Sequence, residues 1–174
     1  KDGLGDKAAS MIIVEESFEV TQPTIDSAIV KLKSLNADVF FNVTTPKFAA
    51  QAIKKMNEIG WKPVHYLNKV STGVGSVMIP AGVENAVGII SADHSKDPTD
   101  PQFQKGKDWD DYVAWFNKYN SSGNINDVNA TYGYTVAQGL VQVLQQAGDN
   151  LTRENVMKQA ASLDMTLPML LPGV

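Results

Sequence analysis

Cysteine is absent from the 174 residues, which excludes a disulfide framework, a thiol nucleophile and a cysteine zinc site. That composition also fits an oxidising compartment. Histidine occurs only twice. His65 falls in an apolar stretch and His94 in a polar one, without the paired spacing of a zinc site. No apolar run approaches the roughly 20 residues needed to cross a bilayer. A formal charge of −4 provides no basic face for neutralising phosphates, so nucleic acid is not an expected partner. Also missing are GxGxxG, the P-loop and the GxSxG elbow, and with them the common dinucleotide, nucleotide and serine-hydrolase readings. Asp93, Asp97 and Asp100 suggest a calcium loop. Its sixth and twelfth positions require Gly and Glu, and here they are Pro98 and Gln104. No catalytic residue, metal or cofactor is therefore expected.

The clearest pattern present runs from Asn36 to Ser71. Asp38 to Val43 is a short apolar run suited to a strand, and Thr44-Thr45-Pro46 breaks it. Phe48, Ala49, Ala52, Ile53, Met56 and Ile59 follow at the spacing of one buried helical face. Gly60 predicts the helix end, because a residue without Cβ adopts the left-handed conformation cheaply. Val64 to Leu67 reads as the next strand. A helical crossover of this length joins parallel strands, so the stretch predicts a right-handed βαβ unit. Ligands in such units sit beyond the carboxyl ends of the strands, which singles out Thr44–Pro46 and Asn68–Ser71.

Upstream, Met11 to Val14 reads as a buried strand. Thr24 reads as the cap of a helix with Ile25, Ile29, Leu32 and Leu35 on one stripe. Residues 11–68 thus spell β-α-β-α-β, the pattern of a doubly wound sheet. Downstream come a glycine-rich segment from Thr72, a fourth strand at Val87–Ile90 and a polar loop from Asp93 to Pro101. A helix follows with Trp109, Tyr112, Val113 and Phe116 on one face. Tyr132, Val136, Leu140, Val143, Leu144 and Ala147 then mark the stripe of a long helix closed by Gly148, and Thr152 caps a last one. Asn-x-Ser/Thr triplets begin at Asn42, Asn120, Asn129 and Asn150. Since Asn42 lies in a strand, chance composition accounts for them. The first residues read as the tail of a helix begun earlier, and Leu167 to Val174 stops without a polar tail. Both ends are expected to belong to a longer protein.

The stretch TIDSAIVKLKSLNADVFFNVTTPKFAAQAIKKMNEIGWKP (Thr24 to Pro63), DPTDP (Asp97 to Pro101) and YGYTVAQGLVQVLQQAG (Tyr132 to Gly148) together resemble the C-terminal half of type I periplasmic binding proteins. The resemblance is to the branch of ABC importer components that bind branched-chain amino acids and aromatic acids, and it runs over nearly the whole chain. It implies two α/β lobes of three-layer αβα architecture with doubly wound parallel sheets, joined by three crossings and closing on a ligand, with a part of this arrangement absent. By resemblance, residues 1–67 correspond to the later part of the second lobe and 68–72 to an interlobe crossing. Residues 73–167 correspond to the returning part of the first lobe, and 168–174 to the approach to a third crossing.

The function so implied is capture of a small organic acid outside the cytoplasm and its delivery to the transmembrane permease of an ABC importer. The full-length protein would be periplasmic. Thr44 and Thr45 precede a helix N-terminus, where hydroxyls and free N–H groups suit a carboxylate; the competing reading is that one of them simply caps the helix. Asn68 falls on the expected crossing with Lys69 and Ser71, and Lys69 reads either as a charge for an acidic ligand or as an exposed lysine. Gln22 stands where amino-acid binders of the family commonly place a carboxylate for the ligand's ammonium. A neutral group there favours an aromatic or aliphatic carboxylate over an amino acid. Tyr132 and Tyr134 read as core aromatics or as a ligand platform. A chain lacking sheet neighbours is further expected to associate with itself or with its missing half. The rival class is a cytoplasmic flavodoxin-like enzyme for a phosphorylated or nucleotide substrate, but it calls for a glycine-rich loop where Thr44-Thr45-Pro46 stands. A regulator's ligand-binding core is a third reading.

Overall fold

The computed structural model describes residues 2–174, and its contacts divide the chain after Asp93 into two compact units. In the first, a 3-10 segment (Asp2–Lys7) leads into the short helix α1 (Ala8–Met11). Helix α2 (Asp26–Ser34) follows, with Thr24 Oγ1 accepting the Asp26 N–H at 3.1 Å. Strand β1 (Val39–Asn42), helix α3 (Pro46–Glu58) and strand β2 (Val64–Leu67) then form the expected βαβ unit, parallel and in register from Val39 opposite Val64 to Asn42 opposite Leu67.

Helix α3 organises this unit. It starts at Pro46, whose ring fixes φ and whose missing N–H is not needed in a first turn. It ends in two C-terminal bonds, Gly60 N–H to Asn57 O at 3.0 Å and Trp61 N–H to Met56 O at 2.9 Å. This Schellman arrangement requires the positive φ of 66° that Gly60 adopts. One side of α3, with Phe48, Ala52 and Met56, packs against Ile25, Ile29 and Trp61. The other, with Ala49, Ala50 and Ile53, packs against Leu67, Val77 and Ala81.

Three expectations are corrected. Met11–Val14 is not a strand. Met11 ends α1 and the residues up to Glu19 have no regular structure, because no described strand lies alongside to satisfy their ladder groups. Val87–Ile90 shrinks to a single parallel bridge between Ile90 and Tyr66. Gly88 at φ 90° and the turn bond from Ile89 N–H to Ala86 O break the extended run. The segment after Ser71 is packed rather than open. The π-helical turn Val74–Met78 and α4 (Ile79–Ala81) bury Val77 and Ala81 against α3, which keeps this segment in the first unit.

The third correction concerns the second unit, which holds α5 (Lys107–Tyr119), α6 (Val128–Ala147) and α7 (Arg153–Ala161). Its core joins Tyr112 and Phe116 of α5 to Tyr134 of α6 and to Met169. Among the expected stripe of α6 only Val143 and Ala147 are buried. They lie with Thr131, Tyr134, Thr135 and Gly139, while Tyr132, Val136, Leu140 and Leu144 are exposed. Apolar residues surround most of this helix, so periodicity alone did not choose its face.

Candidate functional site

The carboxyl ends of β1 and β2 bring two loops together. Asn68 donates its N–H to Asn42 O at 3.0 Å, continuing the ladder one residue past β2. Ser71 Oγ then donates to Thr44 O at 2.6 Å, so the turn Lys69–Ser71 is fastened to the Thr44–Thr45 loop. Thr45 stands at the N-cap of α3 without a side-chain capping bond; only its carbonyl is used, by the N–H groups of Phe48 and Ala49. Thr44 does not cap either, as its hydroxyl donates to Asn42 Oδ1 at 2.7 Å. Asn68 Oδ1 is buried without a hydrogen-bond partner.

Two residues that the sequence pattern did not connect with these loops lie beneath them. Asn42 is 1% exposed and His65 6%. They share the inward face of the strand pair with Phe40 and Leu67. Asn42 Nδ2 lies 3.2 Å from His65 Nε2, and the imidazole rests against the Phe40 ring at 5.0 Å. Burial holds the His65 pKa down to about 4, because charging a desolvated ring is costly. A signal did exist in the sequence: one polar residue in each apolar strand, at positions that fall on the same face.

The loops carrying Thr44, Thr45 and Asn68 are thus neighbours, and Gln22 lies against the first turn of α3. Its Oε1 accepts the Glu19 N–H at 3.1 Å, and its carbonyl accepts from Lys47 Nζ at 3.4 Å. It borders a shallow depression of about 260 Å³ with Glu16, Phe18, Thr24 and Lys31. Lys69 is paired: Nζ is 3.1 Å from Asp93 Oδ1, while Thr72 Oγ1 donates to Asp93 Oδ2 at 3.0 Å. Beside Thr72 and Ser91 opens an apolar depression of about 480 Å³ lined by Val74, Met78, Val83, Val87 and Ile89. Ser91 Oγ donates to Leu67 O at 2.6 Å, which ties that depression to the end of β2. In the second unit Tyr134 is a core aromatic against Tyr112 and Trp115, and burial raises its pKa. Tyr132 is exposed. Among the described residues no cluster of three His, Asp or Glu side chains is placed to hold a metal ion. No described helix is long and apolar enough to cross a membrane.

A family model described as periplasmic binding protein matches residues 5–173. Two solved structures share the fold. One is a fatty acid ABC transporter substrate-binding protein from Thermomonospora curvata, with 19% identity and a TM-score of 0.66 over 88% of this chain and 39% of that one. The other is a periplasmic binding protein type 1 from Bordetella pertussis Tohama I, with 16% identity and a TM-score of 0.60 over 89% of this chain and 43% of that one. This chain therefore spans about two fifths of the length of each. No protein with a curated description matches the sequence.

Proposed function

Because the chain belongs to the periplasmic binding protein family, matched over residues 5–173, we propose that it is part of a non-enzymatic solute receptor that captures a small organic acid. In this reading the receptor works outside the cytoplasm and hands its ligand to the permease of an ABC importer. Thr44, Thr45 and Asn68 supply one wall of the ligand site. The observation that carries the reading is the convergence of their two loops at the carboxyl ends of adjacent parallel strands, where ligands of such sheets collect. The remaining contacts come from receptor sequence that this chain does not span. Gln22, whose side-chain oxygen is engaged by its own turn, is a weaker candidate.

An aliphatic acid is favoured over an aromatic one. The apolar depression beginning at Thr72 and Ser91 is lined by branched and flexible side chains and lies next to the end of β2. One fold neighbour is described as a fatty acid ABC transporter substrate-binding protein, which agrees with that choice. Titration of the isotope-labelled chain with octanoate and with phenylacetate, read at the backbone amides of Thr44, Thr45 and Asn68, tests the proposal. Octanoate is expected to shift them at the lower concentration.

A further inference from the structure

One connected set of hydrogen bonds runs from the Thr44 loop into the core. The Thr44 hydroxyl directs its proton to Asn42 Oδ1 at 2.7 Å. The other arm of the same carboxamide, Nδ2, meets His65 Nε2 at 3.2 Å. An amide nitrogen can only donate, so Nε2 accepts and the ring proton belongs on Nδ1. Asn42 and His65 are both buried, so their polar groups are satisfied by each other rather than by solvent. Turning the carboxamide over would move the ring proton to Nε2 and make Thr44 Oγ1 an acceptor from Nδ2, so the His65 tautomer reports the direction of the whole set.

The outward consequence is at Thr44. With its proton directed to Asn42, the partly buried Thr44 oxygen has only lone pairs left to offer. Asn68, on the neighbouring loop and joined by its N–H to Asn42 O, holds a second acceptor: its buried Oδ1 has no donor, and an unpaired buried carbonyl lowers stability until one arrives.

We infer that His65, acting through Asn42, is a positioning residue that sets the polarity of this wall, so that Thr44 and Asn68 accept hydrogen bonds from a hydroxyl, amide or ammonium group of the ligand. This rests on the reading of Thr44, Thr45 and Asn68 as a ligand wall. It revises the expectation that Thr44 donates to a carboxylate. That task falls to Thr45, whose hydroxyl makes no capping bond. The favoured ligand is then an aliphatic acid that also carries a donor, such as a hydroxy acid.

Two measurements on the 174-residue chain separate the inference from the reading beneath it. Nitrogen-15 shifts of the His65 imidazole at pH 7 are expected to show a protonated Nδ1 and a bare, accepting Nε2; a protonated Nε2 overturns the relay whatever the ligand. Calorimetry with octanoate and 3-hydroxyoctanoate is expected to give about tenfold tighter binding of the hydroxy acid, the value of one good hydrogen bond. The preference should survive in Thr44→Ser and shrink in Thr44→Val. Equal affinities overturn the assigned polarity. Binding of neither acid, with the His65 tautomer as expected, overturns the ligand wall and the inference with it.

Discussion

At the scale of single residues, His65 couples folding to pH. In the unfolded chain its ring titrates near 6.5, whereas in the fold burial holds it at about 4. Between those values the unfolded state binds the proton and the folded state does not, so stability falls as pH drops through this window. The full contribution is present above about pH 6.5, and the loss by pH 4 amounts to about 3 kcal/mol. Denaturant melts at pH 7 and pH 4.5 should differ in this direction for the natural chain and much less for His65→Gln; an equal drop in both would refute the assignment. The sequence located the Thr44–Thr45 and Asn68 loops correctly because strand ends and helix starts follow from local pattern. It did not foresee the Asn42–His65 pair, since two residues 23 apart meet only once the strand register exists.

Among the elements, α3 was legible because three signals agree on it: the apolar stripe, Pro46 at its start and Gly60 at its end. The strands at Met11–Val14 and Val87–Ile90 were not, because apolar composition does not provide the neighbour that a strand needs. Helix α6 shows the same limit in another form. Its apolar residues surround the axis, and tertiary contacts pick Val143 over Leu140 as the inward residue, at 5% against 53% exposure. Val143→Ala should therefore cost about 2 kcal/mol. Leu140→Ala, at a largely solvated position, should cost under about 1 kcal/mol. Thermal or urea melts of the two variants check this, and the reverse order would mean that α6 packs by the other face.

For the molecule as a whole, the first unit presents a parallel sheet with one open face. Val39, Phe41, Val64 and Tyr66 alternate with the inward residues and are exposed. Phe41 is 70% exposed, and its ring stacks on Tyr66 at 5.0 Å. Parallel sheets are ordinarily covered on both faces, so we expect copies of this chain to associate through this one. Sedimentation velocity should show concentration-dependent dimers or larger species that Phe41→Glu weakens without loss of folding. A chain that is monomeric at every concentration would contradict this. The fold class was readable from the order of elements, but the packing of the glycine-rich segment after Ser71 was not, because its texture resembles a linker. Only the burial of Val77 and Ala81 against α3 assigns that segment to the first unit.

The central claim is that the loops at the carboxyl ends of β1 and β2 form one wall of a receptor's ligand site. Backbone amide shifts recorded while octanoate is added to the labelled chain test it most directly. The account predicts that the largest saturable changes fall on Thr44, Thr45, Asn68 and Ser71. It is contradicted if those amides stay fixed while saturable changes gather around Gln22 and Lys31, or if no amide responds at millimolar acid.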